Sequence, residues 1–354
     1  MSFDAKTTAQ HWSENAARFS GRDTGLFWLE KTEVHKSINS KVSGDPDINW
    51  VQYTLRKYFD GQLPLARCLS LGCGEGRLER DLARQGTFKY CDAYDIAEGS
   101  IQLAKERAKA NGFNHISYYA ADINKISLPA RTYDAIWIGS AMHHFEALEH
   151  ICQQIKQALK PESLFILNEY IGPNRFQFPA RQKEVANLCF QLLPSKYHLK
   201  VQELIALEVE RTSLHKGTRW FITRLIDKIR DGDLIDVINR RFRAYRSKAT
   251  GKDIEKTRVM FPSIRDVIAE DPSEAIRSEE IVKVLKQNFE IIEKKDWGGN
   301  VLQFLLAGIA GNFSEKDPSS QLLLKMLINI EDTLLLCGEF QSDFTFIVAR
   351  PLIK

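Results

Sequence analysis

The 354-residue chain has no run of about 18 apolar residues, so no segment of it reads as a membrane span. Its first stretch, MSFDAKTTAQHWSENAARFSGRD, is polar and carries acids. It lacks the apolar core of a secretory leader, and the expected location is cytoplasmic. The six cysteines, Cys68, Cys73, Cys91, Cys152, Cys189 and Cys337, form no CxxC and no zinc spacing. They are expected to be reduced thiols. The eight histidines make no HExxH and no Cys/His cluster, so no metal is expected. Internal repeats and low-complexity tracts are absent. Net charge is also small: the formal value is +3, too mild to mark the whole chain as a polyanion binder. The positive excess is local, with sixteen Lys/Arg against nine Asp/Glu between Ser195 and Phe261.

What is present is an alternation of short apolar runs and helical patterns. Residues 1–60 read as an N-terminal helical cap. The run Ile48, Val51, Leu55, Tyr58 has helical spacing and stops at Asp60-Gly61, after the turn signal Ser43-Gly44-Asp45-Pro46. Strands are predicted at 68–71, 90–94, 116–119, 135–138 and 163–167, with helices at 77–86, 100–111 and 146–159 between them. Such alternation implies an α/β fold with a doubly wound, mostly parallel sheet. After Gly172-Pro173 the strand signal disappears for about a hundred residues. Segments 179–193, 201–214, 219–230 and 233–247 look helical. Strands resume at 289–293 and 344–348, around a helix at 318–337. The implied organisation is a sheet core over 61–172 and 281–354, interrupted by a mostly helical lid over 173–280.

Four motifs carry chemistry. In Leu69-Ser70-Leu71-Gly72-Cys73-Gly74-Glu75-Gly76, three glycines follow a strand and open a helix. Side chains are then missing where a cofactor approaches the backbone. A tight strand–helix turn would look the same, and nucleotide-binding folds share such turns, but GxGxG leans away from a pyrophosphate cradle. Asp95, with Ile96 beside it, ends the second strand about twenty residues on, where an acid can accept both hydroxyls of a ribose. The rival reading of Asp95 is a helix cap. Asp122-Ile123 follows the third strand; there an Asp can accept from an adenine amino group while Ile123 packs on the ring, or it is a plain turn residue. Gly139, Ser140, Ala141, Met142, His143 and His144 follow the fourth strand and would line the crevice beyond the carboxyl ends of the strands.

Together these motifs resemble the class I S-adenosylmethionine (SAM)-dependent methyltransferase superfamily. LSLGCGEGRLE resembles its glycine-rich first motif. Asp95 matches its ribose-binding acid, Asp122-Ile123 its adenine-contacting pair, and His144 a histidine frequent after the fourth strand of its small-molecule members. The resemblance covers about 60–170 and resumes over about 280–351. It implies a seven-stranded Rossmann-like sheet, SAM as cofactor, S-adenosylhomocysteine as product and transfer of a methyl group. The cofactor-binding set it implies is Leu71, Gly72, Cys73, Gly74, Gly76, Asp95, Ile96, Asp122, Ile123 and Gly139. A finer likeness joins residues 38–46, 169–176 and 272–278 to methyltransferases of bacterial glycan or secondary-metabolite clusters.

Methyl transfer from a sulfonium is an in-line displacement with a neutral leaving group, so alignment does most of the work. A hydroxyl acceptor also needs a base. His143, His144 and Glu169 are the candidates, because each should face the crevice. Helix capping by His143 and ligand positioning by Glu169 are the competing readings. Tyr170, Asn174, Arg175 and Arg277 are candidate acceptor-binding groups, since a guanidinium can fork to a carboxylate or phosphate; pinning the lid is the competing role of the arginines. The expected acceptor is a hydroxyl of a small molecule or sugar-containing metabolite. Two rivals stay open. The basic stretch, with Phe242 and Tyr245 among its arginines, could serve an RNA methyltransferase. The helical insertion could instead be the docking surface of a non-catalytic SAM-fold protein.

Overall fold

Ile136 and Ile138 pack on one side of the fourth strand, and Ala135 and Trp137 on the other; all four are fully buried. A strand buried on both faces is the mark of a parallel sheet covered by helices. The computed structural model describes residues 5–19, 27–199 and 255–352. Its seven strands are β1 Leu65–Leu71, β2 Phe88–Asp95, β3 Ile116–Ala120, β4 Tyr133–Gly139, β5 Leu159–Tyr170, β6 Phe289–Gly298 and β7 Phe344–Pro351. They lie in the order β3-β2-β1-β4-β5-β7-β6. Strands β1 to β5 pair in parallel, and β7 runs antiparallel between β5 and β6. The strand order reverses between β1 and β4. The crevice for a ligand therefore opens past their carboxyl ends.

Helices α1 Ala5–Phe19, α2 Thr32–Ser43 and α3 Trp50–Tyr58 precede the sheet. The sheet helices are α4 Arg77–Arg84, α5 Glu98–Ala110 and α6 Leu148–Ala158. Of the insertion, the described part holds α7 Ala180–Gln191 and α8 Ile264–Glu270. The predicted helices at 201–214, 219–230 and 233–247 lie outside the described residues, as does most of the basic stretch. Helix α9 Ile281–Asn288 leads into β6, and α10 Leu302–Leu305 and α11 Pro318–Leu336 lead into β7.

Several boundaries differ from the sequence reading. Helix α3 starts at Trp50 rather than Ile48, because Asn49 and Gln52 form a capping box: each side chain accepts from the other residue's backbone N–H. Strand β5 begins at Leu159, four residues before Ser163. Pro161 cannot extend α6, and Lys160 pairs with Asp134 of β4 at 2.6 Å. Strand β6 runs on to Gly298 through Glu293, Lys294, Lys295 and Asp296, charges that suit an edge strand. The short helix α10 had no sequence signal.

Candidate active site

The glycine loop is shaped by its neighbours. A Cβ on Gly72 would sit 2.3 Å from the Cβ of Ala141, so the loop after β1 touches the loop after β4. A Cβ on Gly76 would strike the Tyr118 hydroxyl at 2.6 Å. Gly74 differs: its φ is +53°, and among the described residues nothing lies within 4 Å of where its Cβ would stand. That open backbone is the cradle a cofactor needs. Leu71 and Cys73 are buried, and burial pushes the Cys73 thiol well up. Gly139 ends β4 with only ordinary contacts, from Leu78 and Trp50, where a Cβ would stand.

Asp95 ends β2. Its two oxygens accept from the N–H groups of Gly74 and Ala97, each at 2.9 Å. Burial raises its pKa; those two backbone donors pull it back. A carboxylate offers about four acceptor positions, so Asp95 has capacity left for a ribose. Asp122 donates nothing and accepts from the Asn124 N–H at 3.0 Å through Oδ1. Its Oδ2 is buried and without a well-aligned hydrogen bond, although the Lys125 ammonium stands 3.0 Å away. A carboxylate oxygen with only the exposed Lys125 ammonium beside it, next to the buried Ile123, has acceptor capacity left for an amino group such as that of adenine. Ile96 is half-buried beside Asp95. The open Gly74 backbone and the free acceptor capacity of Asp95 and Asp122 fit SAM, whose ribose hydroxyls and amino group are donors of the kind these acids would take.

The loop after β4 forms the 3₁₀ turn Met142–His144. Glu169, on β5 and fully buried, organises it. Oε2 accepts from the N–H groups of Ala141 and Met142 at 2.9 and 2.5 Å; Oε1 accepts from the Tyr170 N–H at 2.7 Å and meets His143 Nδ1 at 2.5 Å. His143 Nε2 lies 3.4 Å from Oε1 of Glu274. Burial alone would lower the His143 pKa, but the charge and hydrogen bond of Glu169, then those of Glu274, push it up to about 10. His144 is held likewise. Its Nδ1 is 2.9 Å from Ser273 Oγ and 3.4 Å from Asp271 Oδ2. Asp271 also receives the indole N–H of Trp12 at 2.9 Å and the hydroxyl of Thr8 at 3.3 Å, which brings α1 over the crevice. Burial works to raise the Asp271 carboxyl, yet His144 and Ser273 hold it well below the usual range. The two imidazole rings are 4.1 Å apart.

Of the two readings of Glu169, a base facing the crevice and a positioning group, the geometry favours the second: its oxygens are spent on three backbone donors and His143. The acceptor-binding set is likewise used inside the protein. Arg277 reaches Glu149, Glu280 and the Glu146 carbonyl. Arg175 donates to the Glu274 carbonyl at 2.8 Å, Asn174 accepts from Ser278 and Glu279, and Tyr170 donates to the Pro173 carbonyl. Arg277 thus pins the 271–280 segment to α6 and the loop before it, and Arg175 and Asn174 pin it to the loop after β5, whereas Tyr170 braces that loop alone. Sequence reasoning missed Asp271, Ser273 and Glu274 as site residues. Their one signal was the acid–Pro–Ser–acid turn Asp271-Pro272-Ser273-Glu274, 130 residues from the histidines it meets.

Residues 69–167 match the Methyltransferase domain family. Among curated relatives, a 2-phytyl-1,4-naphtoquinone methyltransferase of Trichormus variabilis is 26% identical over 152 residues, 42% of this chain and 66% of that protein. A malonyl-[acyl-carrier protein] O-methyltransferase of Bacillus anthracis is 25% identical over 166 residues, 46% of this chain and 60% of that protein. The chain spans less than two thirds of either relative's length. A solved phosphoethanolamine N-methyltransferase 2 of Haemonchus contortus, in complex with S-adenosyl-L-methionine, aligns with 96% of this chain and 60% of its own at 13% identity and a TM-score of 0.46. The family match falls on the segment that holds the glycine loop, Asp95, Asp122 and the paired histidines, and residues 69–167 thus carry a methyltransferase domain of the class I, SAM-dependent type.

Proposed function

We propose that this chain moves the methyl group of SAM to a hydroxyl oxygen of a small molecule or sugar-containing metabolite. The observation that carries the reading is the convergence of His143, His144 and Glu274 past the carboxyl end of β4, beside the glycine loop. SAM, when bound, supplies an electrophilic methyl on a neutral leaving group. An amine acceptor already has its lone pair, whereas a hydroxyl must lose a proton for an effective attack, and this cluster offers groups that take or hold one. Glu169 is a positioning residue that fixes the His143 ring. Asp271 and Ser273 fix His144 through Nδ1, which leaves Nε2 for the acceptor side. The edge of Trp12 against the His144 ring, 5.1 Å between centroids, helps keep water out.

The test is methyl transfer from isotopically labelled SAM by purified full-length protein to a panel of hydroxylated, amine and carbon acceptors. Transfer to hydroxyl compounds alone supports the reading. Transfer to amines or carbon acceptors only, with hydroxyl compounds untouched, would sink it.

A further inference from the structure

His143 and His144 share a feature that a proton-transfer pair does not require: each ring has a buried carboxylate behind Nδ1, Glu169 directly at 2.5 Å for one, and for the other Asp271 at 3.4 Å, with the Ser273 hydroxyl at 2.9 Å from the ring and itself donating to Asp271. A carboxylate behind Nδ1 fixes the tautomer that presents Nε2 as a lone-pair donor. This is the usual backing of a metal-ligating imidazole. The third group, Glu274, lies on the other side. Ligand atoms of His143, His144 and Glu274 all fall within 4.8 Å of one another. His143 Nε2 and Glu274 Oε1 are 3.4 Å apart, long for a charged hydrogen bond. Two donors about 2.1 Å from a tetrahedral ion stand roughly 3.4 Å apart.

We propose that His143, His144 and Glu274 form a site for a divalent first-row transition ion, with two imidazoles and one carboxylate as ligands. Two histidines and a carboxylate leave coordination positions open, as a catalytic rather than a structural site requires. The inference rests on the reading of this cluster as the acceptor side of the crevice, and it names how an acceptor oxygen would be held and polarised there. It also departs from the sequence expectation of no metal, since no local spacing joins Glu274 to the histidines.

The test uses full-length, tag-free protein stripped with chelator, then titrated calorimetrically with Zn²⁺ and, in parallel, with Co²⁺ followed by its visible absorption. The same preparation is titrated with SAM. The proposal expects one ion per chain, a Co²⁺ spectrum of low symmetry, and at least tenfold weaker binding in His144→Ala and Glu274→Gln. Asp271→Asn, which leaves the three ligands in place and removes the charge behind His144, should weaken the ion about tenfold. Circular dichroism confirms that each variant is folded. Wild-type protein that binds SAM but no stoichiometric ion, or an ion that all three variants bind unchanged, overturns the metal site and leaves the methyltransferase reading intact. Loss of SAM binding as well would overturn both.

Discussion

Glu79 should make the protein less stable as pH rises, and Glu79→Gln should remove that dependence. The side chain lies on α4 beneath the glycine loop, is 0% exposed, and neither oxygen has a hydrogen-bond partner among the described residues. Burial pushes its pKa up to about 7 from 4.5; the nearby Ser70 hydroxyl pulls it back without hydrogen-bond alignment, and the Arg80 charge adds to that. Below pH 4.5 both folded and unfolded chains carry the proton, and nothing is lost. Between 4.5 and 7 the folded state keeps a proton that the unfolded chain releases, so stability falls as pH rises. Above 7 the full penalty is present. The linkage relation gives a cost of about 0.8 kcal/mol at pH 5 and about 3.3 kcal/mol at pH 8. Gln is nearly isosteric and cannot ionise. Urea unfolding of wild type and Glu79→Gln at pH 5, 6, 7 and 8 should show a gap that widens in the variant's favour by roughly 2.5 kcal/mol over that range. Asp343, pushed by burial to about 7, titrates in both proteins and cancels in the difference. A gap that stays constant with pH would refute the reasoning.

Other outcomes follow from the cofactor loop and the lid pins. Asp95→Ala should weaken SAM at least a hundredfold by calorimetry, because two hydrogen bonds to a charged group are lost at about 1.5–3 kcal/mol each; a change under threefold would remove Asp95 from the site. Gly74→Ala should fold with a cost of only about 1–2 kcal/mol, from its left-handed backbone, yet lose SAM binding, because its Cβ enters the open cradle. Gly72→Ala should instead destabilise folding directly, and Ala141→Gly in the same chain should recover part of that loss in a double-mutant cycle. Arg277→Ala should leave SAM affinity unchanged and raise the KM for the acceptor, since Arg277 holds the segment that carries Glu274; an altered SAM affinity would count against the pin.

The sheet was legible because its signals are local. Strands β1 to β5 and β7 read as short runs bounded by glycines or turns, and for the central strands, β4 above all, burial on both faces leaves such a run no alternative partner. The cofactor side was legible for the same reason: Gly72, Gly74, Asp95 and Asp122 each sit at the end of a strand, and strand ends in a doubly wound sheet converge by topology. The acceptor side was not. His143 and His144 were seen, but Glu274 and Asp271 meet them only when the chain returns after the insertion, and nothing in local spacing encodes that meeting. The choice between the two readings of Glu169 was not legible because position in sequence shows that a residue ends a strand, not that three backbone N–H groups wait for its oxygens.

The backbone supports this division of the molecule. Among the described residues, six non-glycine residues have positive φ. Arg131 and Glu162 sit in turns before β4 and within the start of β5. The other four, Ser140 at 52°, Arg175 at 56°, Phe176 at 55° and Ala275 at 45°, all flank the histidine cluster. Each such residue costs about 1–3 kcal/mol and persists only where its surroundings over-determine it. Here they do: the Ser140 N–H donates to the Asn168 carbonyl at 2.8 Å, the Arg175 N–H to the Ala275 carbonyl at 2.8 Å, and the Ile276 N–H to the His143 carbonyl at 3.0 Å. The last two bonds join the loop after β5 to the lid turn, and the lid turn to the loop after β4. Glu274 is thus set against His143 by main chain as well as by charge. Within the 271–280 segment the left-handed residue is Ala275, which stands between Glu274 and the Ile276 N–H that bonds the His143 carbonyl. The strain is understandable if the position of Glu274 relative to His143 and His144 matters to the reaction, and that geometry is what both the acceptor site and the ion site require.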